Sequence, residues 1–333
     1  MIRVAINGFG RIGRMVFRAG LNDPEIEFVA VNDITNPKTL AMLLKYDSVH
    51  GRFPGDVKEK DGHIIVNGKQ LTVIAERDPA KLPWKDMKID VVVESTGFFT
   101  NRADCMKHIA AGAKKVLLSA PGKDKENPIK TIVMKVNELD IHPDDLIVSN
   151  ASCTTNCLAP MLKILNDKFG IKRGYMTTIH SYTTDQRLHD APHEDLRRAR
   201  AAAVNIVPTT TGAAKAIGLV IPDLKGKVDG ISVRVPTIDG SLTDVAVELN
   251  VKVTKEEINA EFKKVSEAYM KDVLEYTEDP IVSSDIVTNP HSCIFDASST
   301  MVLDGNFVKI LGWYDNEWGY SNRMIDLAKL MSK

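Results

Sequence analysis

The sequence predicts an α/β protein in two parts, a doubly wound parallel sheet followed by an α+β region with a mainly antiparallel sheet. Three observations carry the prediction. A glycine-rich turn, Gly8-Phe9-Gly10-Arg11-Ile12-Gly13, lies between an apolar strand at residues 3–6 and a helical pattern at 14–20. Continuous apolar runs at 89–95 and 115–119 alternate with helical stretches, the pattern of parallel strands buried on both faces. Beyond residue 174, long strand patterns follow one another with few helices between them.

Taken in order, the first strand and its turn read G-x-G-x-x-G in the strand–turn–helix setting that a Rossmann dinucleotide site requires. Gly8 permits the turn, Gly10 lets the backbone approach a pyrophosphate, and Gly13 lets the helix lie close to the strand. The helix start then presents free N–H groups to the phosphates. A second strand at 27–32 ends at Asp33, twenty residues after Gly13. An acid at that spacing hydrogen-bonds a ribose 2′-hydroxyl and repels a 2′-phosphate, so NAD is the expected cofactor. Residues 36–68 read as loops and short elements, with His50 and His63 solvated. A strand at 71–75 leads to Arg77, which is either a surface arginine or one that reaches an adenine or phosphate. Residues 101–111 are helical, with His108 on the surface, and further strands are expected at 115–119, 132–134 and 146–148. Ligands of such a sheet sit at the carboxyl ends of its strands, where Ser95, Thr96 and Ser119 fall.

The stretch Ser149-Asn150-Ala151-Ser152-Cys153-Thr154-Thr155-Asn156-Cys157 joins a strand end to a helix whose apolar run spans 158–165. The small and hydroxylic residues before Cys153 are N-cap types, which puts Cys153 in the first helical turn. Unpaired N–H groups and the dipole favour an anion there, and the thiolate is the nucleophilic form of cysteine. The alternative is a buried structural thiol, against which the polar neighbours on both sides speak. Cys157, one turn on, faces the packing side. Residues 174–180 alternate as a strand, with Tyr175, Thr177 and Ile179 on one side and Met176, Thr178 and His180 on the other. A strand-end His and a helix-tip Cys are the material of a Cys–His pair, although 27 residues of separation say nothing of distance in space.

Residues 186–205 carry Arg187, Arg197, Arg198 and Arg200, either a solvated face or an anion site. Pro208-Thr209-Thr210-Thr211-Gly212 opens a helix at 213–220, and its hydroxyls and N–H groups suit phosphate. Strands follow at 230–236 and 242–251. Arg234 lies inside the first of these, where a cation belongs either to a salt bridge or to a phosphate site. An amphipathic helix at 256–272, strands at 292–296, 299–303 and 307–313, and a helix at 321–331 complete the chain.

With 333 residues, 44% apolar and 26% charged, the chain has ordinary globular composition and length for two domains, 1–150 binding the dinucleotide and 151–314 catalytic. A formal net charge of −1 excludes the strong field of a nucleic-acid or membrane-surface binder, and acids interleaved among the arginines of 187–200 argue the same way. No apolar run is long enough for a membrane span, and the N-terminus lacks a signal-peptide stretch. The four cysteines, Cys105, Cys153, Cys157 and Cys293, are too scattered for a disulfide framework and lack paired metal spacing. No metal is expected, and a reducing, cytoplasmic setting is.

Asn7 to Arg14, Ala151 to Cys157, Pro208 to Gly212 and Trp313-Tyr314-Asp315-Asn316-Glu317, taken together, resemble the phosphorylating glyceraldehyde-3-phosphate dehydrogenases over essentially the whole chain. The resemblance implies a glycolytic, NAD-dependent oxidation of D-glyceraldehyde 3-phosphate through a Cys153 thioester, with His180 as its acid–base partner. It implies dinucleotide contacts at Gly8, Gly10, Arg11, Ile12, Gly13, Asp33, Arg77, Ser119 and Asn316, with Asn316 on the nicotinamide carboxamide. Thr183 and Arg234 are implied for the substrate's phosphate, and Ser152, Thr154, Arg198, Thr211 and Gly212 for inorganic phosphate. It also implies a homotetramer, a loop at about 181–205 packing near a neighbouring cofactor site, and a C-terminal segment, 315–333, completing the NAD-binding domain. Where the family often has Leu-Pro this chain has Ala191-Pro192, and NADP-using members tend to carry Ala-Ser, so some NADP use is left open beside Asp33. The rival readings are an erythrose-4-phosphate dehydrogenase, which shares the Cys motif and cofactor domain, and a cofactor-binding sensor or RNA-binding protein with a vestigial site.

Overall fold

The computed structural model describes residues 1–333. The chain divides into two compact units, Met1–Ile132 with Leu139–Ala151 and Ser321–Lys333, and Val133–Glu138 with Ser152–Tyr320.

In the first unit β1 (Ile2–Asn7) leads through the glycine turn into α1 (Arg11–Gly20), then β2 (Ile26–Asn32), α2 (Pro37–Lys45), β3 (Val57–Lys60), β4 (His63–Val66) and β5 (Lys69–Ile74). β6 (Val91–Glu94), α3 (Arg102–Ala110), β7 (Lys115–Leu118), β8 (Lys130–Thr131) and β9 (Ile147–Ser149) follow. The strands form one sheet in the order β3-β4-β5-β2-β1-β6-β7-β9-β8. Only the β3–β4–β5 meander is antiparallel; β5 through β8 run parallel. The chain winds away from β1 in both directions, so the crevice lies beyond the carboxyl ends of β1, β2 and β6. β6 is buried along its whole length, as its unbroken Val-Val-Val run requires.

In the second unit α4 (Cys153–Phe169) precedes β10 (Ile171–Ser181), β11 (Val207–Thr210), α5 (Ala213–Val220), β12 (Val228–Val235), β13 (Ser241–Leu249), α6 (Lys255–Glu267), β14 (Leu274–Thr277), β15 (Cys293–Leu303) and β16 (Phe307–Tyr314). The sheet order is β11-β12-β10-β13-β16-β15-β14, mainly antiparallel, with parallel pairs β10–β12 and β14–β15. Met176, Thr178 and His180 are buried, whereas Tyr175 on the opposite face is exposed, which is the expected alternation. The closing helix α7 (Trp318–Met331) begins in this unit and continues into the first, where Lys329 Nζ meets Asp23 at 2.7 Å.

Several elements differ from expectation. Residues 36–68 hold a real helix, α2, capped by Asn36, whose Oδ1 accepts from the Thr39 N–H. The strand expected at 132–134 is the two-residue β8 just before it. Residues 207–210 form a strand on β12 rather than a helix lead-in, because Val207 and Thr209 fit a buried pleat. The two strands expected at 292–303 are one, β15, with an irregular register between Asp296 and Met301.

The glycine turn yields a stability prediction. Gly8 has φ +91°, and a Cβ there lies 2.6 Å from the Thr96 nitrogen; a Cβ on Gly10 meets nothing within 4 Å. Gly8→Ala is expected to destabilise the chain by at least about 1–3 kcal/mol, and Gly10→Ala by under about 1 kcal/mol, in urea unfolding. Equal losses contradict this account of the turn.

Candidate active site

Ser152 caps α4: its Oγ accepts from the Thr155 N–H at 3.1 Å, and the Asn156 N–H closes the first turn on the Ser152 carbonyl at 3.0 Å. Cys153 is therefore the first residue inside the helix and is partly exposed, whereas Cys157 is fully buried. Ala151 turns the chain into this helix in the left-handed region, φ 55°, a conformation that costs a residue with a Cβ roughly 1–2 kcal/mol.

β10 delivers His180, whose Nε2 lies 3.5 Å from Cys153 Sγ. Its Nδ1 is 2.7 Å from the Ser181 carbonyl. A carbonyl only accepts, so Nδ1 carries the ring proton and Nε2 turns its lone pair to the sulfur. Arg234 stands beside the ring because β10 and β12 pair with His180 opposite Arg234. Its Nη1 is 2.9 Å from Nδ1 and 3.2 Å from the Ser181 oxygen; with Nδ1 protonated, the guanidinium donates to the oxygen. Thr183 Oγ1 is 3.5 Å from the same nitrogen. The sequence left Arg234 between a salt bridge and an anion site; no carboxylate pairs with it, and its Nε has no partner. An enclosed cation without a counter-ion is a place for an anionic ligand.

Charge at the pair follows from this enclosure. Burial pushes the Cys153 thiol up to about 11, against the pull of Arg234 and the Thr154 N–H. Burial and then Arg234 push His180 down to about 3. Burial thus opposes the ionisation that the helix tip alone favours. Near neutral pH the two groups hold one proton between them, and its transfer from sulfur to Nε2 changes no net charge.

The remaining expected phosphate residues fall as follows. Arg198 bonds Asp185 at 2.6 Å, Thr209 Oγ1 at 3.0 Å and the Thr210 carbonyl at 3.2 Å, just before Thr211 and Gly212 at the start of α5. The Thr154 hydroxyl lies 2.9 Å from the Tyr314 hydroxyl. Tyr314 also meets Thr178 Oγ1 at 2.8 Å and packs edge-on against the His180 ring at 5.9 Å. Asn316 is buried, its Oδ1 held by Ser181 and Ser241. Of the other arginines, Arg200 pairs with Asp190, and Arg187 and Arg197 donate to the carbonyls of Pro192 and Pro208.

In the first unit a cavity of about 510 Å³ opens at the sheet crevice, lined by Asn7, Gly8, Gly10, Asp33, Arg77 and Thr96 among others. The start of α1 has no side-chain cap and no acid in its first turn, a helix start whose dipole favours an anion. Asp33 is fixed by the N–H groups of Phe9 at 2.8 Å and Thr35 at 2.9 Å. The open space over Gly10 and this donor-rich helix start suit a dinucleotide pyrophosphate. Ser119 follows β7 but does not line the cavity. Arg11 pairs with Asp47, so its side chain is engaged within the unit.

Two histidines correct expectation. The His50 side chain is enclosed against Asp47 rather than solvated. His108 is fully buried and takes a hydrogen bond from Trp84 Nε1 at 3.0 Å. An indole N–H only donates, so His108 carries its proton on Nε2 and gives it to Glu94 at 3.1 Å. Glu94 also accepts from Asn7 Nδ2 and from the Thr96 N–H, tying β6 and α3 to two residues of the cavity wall. Nothing in the local sequence around His108 signals this, because Trp84 and Asn7 meet it only through the sheet.

Profiles of two families match the chain: the glyceraldehyde 3-phosphate dehydrogenase NAD binding domain over residues 2–102 and the C-terminal domain of the same enzyme over 152–316. The chain belongs to the glyceraldehyde-3-phosphate dehydrogenase family. Glyceraldehyde-3-phosphate dehydrogenase 1 of Bacillus subtilis is 58% identical over 100% of this chain and 98% of its own length. Glyceraldehyde-3-phosphate dehydrogenase 2 of Streptomyces avermitilis is 60% identical over 98% and 97%. That of Thermotoga maritima is 56% identical over the full length of both chains. No helix is long and apolar enough to cross a membrane.

The shared proton makes a kinetic prediction. In the cofactor-free protein, the rate of Cys153 alkylation by iodoacetamide should change by less than about twofold between pH 6.5 and 7.5. With His180→Asn it should be slower and rise by about tenfold per pH unit, as for an unassisted thiol. Identical profiles in the two proteins rule out the pairing.

Proposed function

We propose that the chain is an NAD-dependent phosphorylating dehydrogenase that converts D-glyceraldehyde 3-phosphate and inorganic phosphate to 1,3-bisphosphoglycerate. The observation that carries the reading is the Cys153–His180 contact at 3.5 Å beside an unpaired Arg234. Arg234 and Thr183 receive the substrate's phosphate. That anion offsets the cation that holds His180 down, so substrate binding makes Nε2 a better base at the moment it is needed. His180 takes the thiol proton, Cys153 Sγ bonds to the aldehyde carbon, and the carbonyl π pair moves to the oxygen, which the N–H groups at the start of α4 stabilise and to which His180 then passes the proton. NAD, held along Gly8, Gly10, Arg11, Ile12, Gly13, Asp33, Arg77 and Ser119 with Asn316 at the nicotinamide, supplies the two-electron oxidation when bound. His180 removes the hydroxyl proton of the Cys153 adduct as it becomes a thioester. A phosphate oxygen, held by Ser152, Thr154, Arg198, Thr211 and Gly212, then attacks the acyl carbon. The carbon–sulfur bond breaks, and the leaving sulfur of Cys153 takes back the proton that His180 holds.

Asp33 favours NAD over NADP. A glycolytic, cytoplasmic enzyme fits the free cysteines and the lack of a membrane-crossing helix. A homotetramer is supported by an apolar face that a lone subunit leaves in water. Tyr175, Ile231, Met301, Leu303 and Phe307 stand exposed on one face of the second sheet, and Leu188, Leu196, Val204 and Ile206 on the loop after β10.

The test is NADH absorbance with aldehyde, phosphate or cofactor omitted in turn, and with erythrose 4-phosphate as a competing aldehyde. Cys153→Ser should abolish phosphorylating activity while NAD binding is retained; a matching loss of NAD affinity makes Cys153 structural. Arg234→Gln should raise KM for the aldehyde by about 10–100-fold, the loss of one charge-assisted contact. A higher kcat/KM on erythrose 4-phosphate overturns the substrate assignment.

A further inference from the structure

Ser181 is the residue on which three contacts of the second unit converge. It is fully buried, as is Ser241, and Asn316 is nearly so. The Ser181 carbonyl accepts from His180 Nδ1 at 2.7 Å. The Ser181 hydroxyl donates to Asn316 Oδ1 at 2.8 Å. The Ser181 N–H donates to Ser241 Oγ at 3.1 Å, and Ser241 passes its own proton to Asn316 Oδ1 at 2.7 Å. With both lone pairs of Oδ1 occupied by hydroxyls, Asn316 has only its amide NH₂ left to offer. An asparagine fixed as a donor recognises a carbonyl oxygen, the part of a carboxamide an unfixed amide need not select. The same peptide unit sets the ring of His180, since its carbonyl decides which imidazole nitrogen carries the proton.

We propose that Ser241 is a positioning residue: it locks Ser181, and so holds Asn316 as a donor toward the nicotinamide carboxamide and the His180 ring toward Cys153. The inference rests on the reading of Asn316 as the nicotinamide contact. Ser241 touches neither cofactor nor substrate in this scheme; its effect passes through Ser181 and Asn316. The position carries no local motif, lying at the start of β13 behind a glycine and far from both partners in sequence.

A neighbour supplies the control. Thr243 lies two residues along β13 on the same buried face, and its hydroxyl has no hydrogen-bond partner. Thr243→Val therefore removes a hydroxyl from the same core without touching the clamp.

The experiment is calorimetric titration of cofactor-free protein with NAD and with ADP-ribose, which lacks the nicotinamide, alongside the iodoacetamide rate at Cys153. For Ser241→Ala, NAD affinity should fall roughly five- to tenfold, the loss of about one buried hydrogen bond, while ADP-ribose affinity stays unchanged. The alkylation rate near pH 7 should fall with it. Thr243→Val should match wild type in all three. Equal losses of NAD and ADP-ribose affinity reduce Ser241 to a structural role and overturn the proposal, as does no change in either. If Ser241→Ala does not fold, Ser241→Cys, which keeps the volume with a weaker donor, should still lower the NAD-to-ADP-ribose ratio; an unchanged ratio again overturns it. Should wild type itself not distinguish the two ligands, the reading of Asn316 is what falls. Should wild type distinguish them and Ser241→Ala do so equally, that reading stands and the role of Ser241 falls.

Discussion

The chemistry of this chain depends on one strand register. β10 and β12 run parallel with His180 opposite Arg234, and that places a guanidinium beside the imidazole. A slip of one residue moves Arg234 to the other face of the sheet, since side chains alternate with period two. In register, the cation and the enclosure together keep the ring neutral, with its lone pair on the sulfur. A half-buried arginine without a carboxylate is costly to keep, which is the ground for proposing that a phosphate-bearing substrate neutralises it. On that proposal, binding and acid–base readiness are the same electrostatic event.

The first unit rests on a different constraint, close approach of backbone to backbone. Gly8 and Gly13 leave no room for a Cβ, while Gly10 faces open space. The first two are needed by the fold, and the third leaves the turn open to close approach. Behind this turn, buried Glu94 gathers donors from Asn7, Thr96 and His108, so the cavity wall is braced from the far side of the sheet. A half-satisfied network of that kind is worse than an apolar one, which explains why Trp84 is spent on hydrogen-bonding a histidine.

Much of this was legible in the sequence where the signal is local. The glycine turn, the acid closing β2, the cap before Cys153 and the alternation of β10 each report their own backbone. The family likeness then linked Cys153, His180 and Arg234, which spacing could not. What stayed hidden depends on residues that meet only through the sheets. His108 reads as a surface histidine on a helix, yet Trp84 and Glu94 enclose it. Thr209 reads as part of a helix lead-in, yet β12 recruits it as a strand. Ser241 carries no motif at all, and its role follows from Ser181 arriving at the end of β10 and Asn316 in the turn after β16. The ionisation of Cys153 is legible only in part for a related reason: the helix tip is visible in sequence, whereas the enclosure that opposes it is not.

The central claim is that Cys153 and His180 hold a single proton between them at neutral pH. Proton release on alkylation counts it directly. When iodoacetamide caps Cys153 in unbuffered, cofactor-free protein near pH 7, the sulfur can no longer hold that proton and the imidazole, pushed down to about 3, does not keep it. The account predicts release of about one proton per alkylated Cys153, measured in a pH-stat. Release of none means that the sulfur stood as a bare thiolate beside a neutral ring, and the account is wrong.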